Sequence, residues 1–468
     1  RYNVIQWVHR STRGWSYGGS INDPRTGEII KGHVSLGSLR IRQDFLIAQA
    51  LMNRPFENDD QNYQPMLELA LARIRQLSAH EVGHTLGFAH NFAASVSDRA
   101  SVMDYPHPKI TLKNDVIDFS EAYASGIGAW DKVTVAYSYS DLPENQLEKN
   151  YLSNLLTAAF AKGLYYISDA DARPQGGANA KAHLWDNGAS ATEELKNVLA
   201  VRKKAIENFS IDNIKNGEPL SKLEDVFVPL YFYHRYQTEA VIKSIGGLDY
   251  TYAVKGDSGI AVQIISKKKQ EAALDEILQT LSINTLKIPH RILKLFPPRA
   301  MGYERTRESF KSNTNVAFNS LGGVATASDL TLKLLLNPER ANRLIEQHAI
   351  SNANLSLNEV LTKLISHSFD LKVKTSYEKE IAHTLQYITL QNLMNLIATD
   401  QASPQVKSLA NEALDDLFTS LKSDKSTFNN QLIRELISFR KYPEKFDVYK
   451  VSKIPDGSPI GSAPCFMN

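Results

Sequence analysis

Hydrophobic side chains recur along most of this chain at helical spacing, and strand-like alternation is concentrated near its start. Val4–Val8 alternates apolar and polar residues and reads as a half-buried strand. The run Asn22-Asp23-Pro24-Arg25-Thr26-Gly27 is a strong turn signal between residues 15–21 and 28–36, so a hairpin is expected there. Over residues 65–86, Leu67, Ala70, Leu71, Ile74 and Leu77 share one helical face, and Pro65 suits a first turn, where its missing N–H costs nothing. Residues 128–139 read as a further helix. Later helical patterns cover 190–209 (opened by Ser190 and Glu193 as a capping box) and 219–245 (stopped by Gly246-Gly247). Others cover 267–282, 328–347, 356–369, 376–399 and 404–441, while residues 250–265 alternate enough for a small hairpin. The expected fold is α+β, with a short sheet and helices over 1–142. A mostly helical extension carrying the hairpin follows over 143–265, and a helical region over 266–468.

Composition narrows this little. The 468 residues suffice for two or three domains, and 43% hydrophobic with 22% charged residues is ordinary for a globular chain. Lys+Arg 53 against Asp+Glu 51 gives a net charge of +2 and no case for nucleic-acid binding. Cys465 is the only cysteine, which excludes an intrachain disulfide and a cysteine metal site. No apolar run approaches the roughly 20 residues a membrane-spanning helix needs. The chain opens at Arg1 directly into a strand-like run, so we expect a product cut from a longer precursor with domains upstream.

The candidate chemistry lies in one stretch, His80-Glu81-Val82-Gly83-His84-Thr85-Leu86-Gly87-Phe88-Ala89-His90. Residues four apart share a helix face, so His80 and His84 can present imidazole nitrogens to one metal ion. Glu81 can reach a metal-bound water as general base. Gly87 can adopt positive φ, end the helix and turn the chain back, which brings His90 round as a third ligand. Three protein ligands and one open position are the pattern of a catalytic Zn2+ site.

The extended motif resembles the metzincin zinc peptidases, which pair it with a downstream Met-turn. Here Ser101-Val102-Met103-Asp104-Tyr105-Pro106 matches that turn. The resemblance places Met103 beneath the zinc. It implies that Tyr105 hydrogen-bonds the oxyanion, against a plain reading as a packed tyrosine. It also matches residues 128–139 to the last catalytic helix, whose Asp131 braces the Met-turn backbone; Asp131 reads equally as a helix-start residue favoured by the dipole. By position, residues 29–36 resemble the sheet-edge strand that pairs with extended substrate. Asn91 departs from the residues found after the third histidine in the better-known subfamilies.

Residues 167–173, 183–188, 228–252 and 297–304 extend the likeness to a family of large bacterial zinc-dependent metalloproteases. Their shared region is a Met-zincin domain of unknown function. It implies a metzincin-like catalytic domain whose first strands and helix precede Arg1, and an exported protein of periplasm, envelope or extracellular space. The expected function is a zinc endopeptidase acting on peptides or proteins through a zinc-activated water and Glu81. The alternative is a catalytically inactive zinc-binding scaffold or protein-interaction module. A third arrangement, with Glu121 replacing His90 as ligand, is opposed by Gly87 and Met103. Elsewhere, Asp169, Asp171 and Arg173 read as a loop salt bridge and not a calcium site. Trp185-Asp186-Asn187-Gly188 reads as a turn, His33 as an exposed strand residue, and His234-Arg235-Tyr236-Gln237 as a buried polar network within a helix.

Overall fold

The computed structural model describes residues 2–9, 16–257 and 259–456. At the first turn the Asp23 carbonyl accepts from Gly27 N–H at 2.8 Å, and the Asp23 amide donates to Glu28 O at 2.9 Å. Gly27 takes φ +76 there, which a side chain would oppose. This turn joins β2 (Tyr17–Asn22) to β3 (Ile29–Gly37), paired antiparallel from Tyr17↔Ser35 to Asn22↔Ile29. β1 (Val4–Val8) pairs parallel to the other side of β3, from Val4↔His33 to Val8↔Gly37.

The sheet order is therefore β1-β3-β2. Residues 29–36 form its centre and not its edge, a correction to the expectation above. Alternation reveals which face of a strand is buried but not how many neighbours it has. Among the described strands the antiparallel edge is β2. Trp15 and Cys465 lie outside the described residues.

α1 (Leu39–Leu51) and α2 (Gln64–Thr85) pack side by side under the sheet, with Val34 and Leu36 of β3 against Leu77 and Ile74 of α2. β2 crosses α2 so closely that a Cβ on Gly18 would stand 1.9 Å from the Glu81 carbonyl oxygen. A small hairpin, β4 (Thr111–Lys113) and β5 (Val116–Asp118), precedes α3 (Ala129–Tyr139), α4 (Glu148–Ala161) and the single turn α5 (Asp169–Ala172). α6 (Ala191–Asn208) opens as expected, with Ser190 Oγ accepting from Glu193 N–H.

The 219–245 pattern is divided into α7 (Leu223–Tyr231) and α8 (Arg235–Ile242). Pro229 sits inside α7 and supplies no N–H to the ladder, and the helix gives way soon after it. β6 (Leu248–Asp249) and β7 (Gln263–Ile264) pair over two residues only, shorter than the hairpin expected. α9 (Lys267–Gln279), α10 (Ile283–Leu286) and α11 (His290–Leu293) follow.

The 328–347 pattern is cut between α12 (Ser320–Leu335) and α13 (Pro338–Ile350), where Asn337 caps the new helix by accepting from Glu339 and Arg340 N–H. α14 (Leu357–Phe369) and α15 (Ser376–Ala398) match their patterns. The last pattern divides into α16 (Pro404–Leu421) and α17 (Thr427–Lys441), the second capped by Ser426. Apolar periodicity runs on through these breaks because both helices of each pair bury their faces in the same core. That core is one cluster of buried apolar side chains reaching from Ile47 on α1 to Phe439 on α17. It crosses positions 142 and 265 without interruption. Among the described residues no helix is long and apolar enough to cross a membrane.

Candidate metal centre

α2 carries His80, Glu81, Gly83 and His84 in its last turns, all buried. Gly87 then takes φ +88 and ends the helix, with Phe88 N–H donating back to Gly83 O at 3.1 Å. The reversal carries His90 against the helix. Its Nε2 and that of His80 each lie 3.1 Å from His84 Nε2.

Each ring is anchored through its other nitrogen. His80 Nδ1 donates to Val102 O at 2.7 Å, His84 Nδ1 to Phe88 O at 2.8 Å, and His90 Nδ1 to the Asp169 carboxylate at 2.8 Å. With Nδ1 protonated in all three, three Nε2 lone pairs face one another. Burial, then the neighbouring histidines, holds His80 well below the usual imidazole range and His84 down to about 4, so both are neutral. Three converging lone pairs with no proton among them repel unless a cation sits between them. The donor set thus fits a metal ion, and imidazole nitrogen suits zinc. Among the described residues this is the one group of three or more histidine, cysteine or acidic side chains within metal-binding reach. Glu121 is exposed and outside it, so the arrangement with Glu121 as ligand falls.

Glu81 is buried beside the triad. Burial pushes its carboxyl up to about 8, against the pull of Arg73, the Gly18 backbone N–H bonded to it, and Arg40. Its Oε2 has no hydrogen-bond partner. The sheet edge therefore takes part in the site through Gly18, a residue the sequence reading passed over.

The 101–105 turn lies below the histidines. A Cβ on Gly83 would be 2.3 Å from Met103 Sδ, so the glycine inside the motif makes room for the sulfur. Asp131 at the start of α3 accepts from Ser101 Oγ at 2.5 Å, Val102 N–H at 2.8 Å and Gly128 N–H at 2.6 Å. It is both a helix-start residue and the brace of this turn, and the turn in turn offers Val102 O to His80.

Tyr105 is buried, with its ring centroid 4.8 Å from His90 and stacked on Trp185 at 4.8 Å. Its hydroxyl receives Arg173 Nη2 at 3.4 Å. Trp185 has φ +66 and Gly188 φ +86, in keeping with the turn signal at 185–188, and the indole stacks on Tyr105. Asn91 joins three strands of chain: its N–H donates to Met103 O at 3.1 Å, its Nδ2 to Tyr165 O at 2.8 Å, and its Oδ1 accepts Ile167 N–H at 3.2 Å. The amide explains the departure at this position.

Other readings need adjusting. Asp169 and Arg173 do form the expected ion pair, yet Asp169 also holds His90. His33 is half-buried and stacked on Tyr17, outside the triad. The buried polar network expected over His234–Gln237 forms through Gln237, which accepts from Asn187 N–H at 3.1 Å and donates to Ala191 O at 3.0 Å, and through Arg235, which donates to Pro455 O at 3.1 Å; the His234 ring nitrogens have no partner in it.

A parallel-and-antiparallel sheet lying over a helix with three convergent histidines, a tight glycine turn and a methionine beneath defines a metzincin-like α+β protein. The family model described as Met-zincin, a domain of unknown function, matches residues 62–376. That is more than half of the chain, which therefore belongs to the Met-zincin family. No curated protein and no solved structure matches it.

Proposed function

We propose that this protein is a zinc-dependent endopeptidase. The observation that carries the reading is the convergence of the His80, His84 and His90 Nε2 atoms beside the buried Glu81 carboxyl. A zinc ion on those three nitrogens would supply Lewis-acid chemistry, polarising a peptide carbonyl and lowering the pKa of water.

The protein's own residues do the rest. Glu81 takes the proton of the attacking water on its carboxylate and gives it to the leaving amine nitrogen. Burial raises this carboxyl to about 8, and a cation on the neighbouring histidine nitrogens would draw it back toward neutral pH, where a carboxyl is matched to both tasks. Tyr105 offers a phenol beside His90 for negative charge developing on the carbonyl oxygen. The outer edge of β2, next to Glu81, presents main-chain groups to which an extended peptide can add as a further strand. Peptides or proteins are the substrate class.

The test is cleavage of unfolded protein by wild type and Glu81→Ala, with and without chelator. We expect chelator-sensitive hydrolysis that falls at least about 100-fold in the variant while zinc content is kept. Full activity in Glu81→Ala would overturn the mechanism. Zinc binding with no cleavage of any substrate by wild type would favour the inactive scaffold.

A further inference from the structure

His80 and His84 are anchored by backbone carbonyls of the turns beside them, Val102 O and Phe88 O. His90 alone is anchored by an ionised side chain, and it comes from 79 residues further along the chain. Both oxygens of that carboxylate have fixed partners. Asp169 Oδ2 accepts from His90 Nδ1 at 2.8 Å and Ser168 Oγ at 3.3 Å, and Oδ1 accepts from Arg173 Nε. Arg173 also reaches the Tyr105 hydroxyl, and its guanidinium carbon lies 5.4 Å from the Tyr105 ring centroid and 5.6 Å from that of Phe92.

The segment that presents this pair is itself tied down. The Asn91 amide clamps Tyr165 and Ile167. Lys243, just past the end of α8, donates its ammonium to Ala172 O and Ala182 O, and the hydroxyls of Tyr250 and Tyr252 close on the Asp171 carboxylate. Such bracing on both sides of a carboxylate exceeds what a loop ion pair needs.

We propose that Asp169 is the positioning residue of the metal centre, holding the His90 ring in the tautomer and orientation that aim Nε2 at the ion, with Arg173 fixing the carboxylate from its far side. The proposal rests on the zinc reading above. A carboxylate accepting the Nδ1 proton makes Nε2 a stronger donor to a metal and removes the ring's freedom to flip or change tautomer. The pair of opposite charges does this without adding net charge to the site. The third ligand is thus set by the region beyond α3, and by Asp169 in particular.

The test compares wild type, Asp169→Asn, Asp169→Glu and Arg173→Gln. Zinc affinity is measured by competition with a chelating dye, melting on the metal-free chain, and histidine tautomers by nitrogen NMR of that same chain. Asp169→Asn should weaken zinc by roughly 10–100-fold while metal-free melting changes little, and one histidine should lose its fixed Nδ1–H signature. Asp169→Glu should recover part of the affinity. Arg173→Gln, which leaves the carboxylate in place, should weaken zinc less. Wild-type affinity in Asp169→Asn, or an affinity loss matched by lost melting temperature, would overturn the proposal. Should Asp169→Asn not fold, Arg173→Gln decides: weaker zinc at unchanged melting supports the proposal, and unchanged affinity overturns it. No zinc binding by wild type would instead overturn the metal reading, and this proposal with it.

Discussion

Met103 Sδ occupies the space a side chain at Gly83 would enter, 2.3 Å from the position of its Cβ. The second variable position of the histidine motif is thus fixed by a residue on the turn beneath. Gly83→Ala gains helix propensity but must displace the sulfur, so we expect a net loss of about 1–3 kcal/mol by denaturant unfolding. The double variant with Met103→Ala should recover most of that loss. Additive effects in this cycle would show that the two residues do not compete for space.

Asp131 accepts three hydrogen bonds while almost fully buried. Asp131→Ala strands two backbone N–H groups and a hydroxyl, and should cost at least about 2 kcal/mol in the metal-free chain. Because Val102 both donates to Asp131 and accepts from His80, zinc affinity should fall as well. An Asp131→Ala chain with wild-type stability would show that the turn is held by other means.

Asn91 uses both ends of its amide, one as donor and one as acceptor. Asn91→Asp keeps the shape but turns the donor to Tyr165 O into a second acceptor. We expect a loss of about 1–3 kcal/mol, detectable by urea titration, with weaker zinc binding. Equal stability of the two chains would mean that the clamp is not formed in solution.

His107 and His183 are buried and neutral. Burial, helped by Arg235, lowers His107 to about 3; burial and Lys243, opposed by Glu239, lower His183 to about 4. Above the unfolded value near 6.5 both are neutral in either state, and their full stability is present. As pH falls below 6.5 the unfolded chain takes up protons that the native chain refuses, so stability is lost toward pH 4. Asp186, raised to about 7 by burial, acts in the opposite sense, so the measurement is the difference between chains. His107→Gln and His183→Gln should each lessen the acid loss by up to about 1.4 kcal/mol per pH unit in that window. An unaltered pH slope in the metal-free variants would refute the assignment.

Local features were well legible in the sequence. The periodicity of α2, the glycine turn and the third histidine follow from spacing along one stretch of chain. Residues 29–36 read as a strand, but their edge position rests only on resemblance by position, since the pattern of the strand itself carries no information about lateral neighbours. Helices were found but not their interruptions at Pro229 and Asn337, since the apolar stripe continues across both. Asp169 was seen only as a partner of Arg173, four residues away. Its bond to His90 is a contact between distant segments, which no local pattern encodes. The same is true of Gly18 against Glu81 and of Gly83 against Met103, where small residues stand because something else needs the room.

The separation between His90 and Asp169 also bears on when the site can form. Synthesis delivers His80, His84 and His90 almost together, yet the third ring has no anchor until Asp169 has been made. The segment around Asp169 is not fastened until Lys243, Tyr250 and Tyr252 have followed. A growing chain thus carries its third histidine without this anchor while the 79 residues that lead to Asp169 are added. Any metal loading through all three rings would then wait on a segment made long after the motif itself.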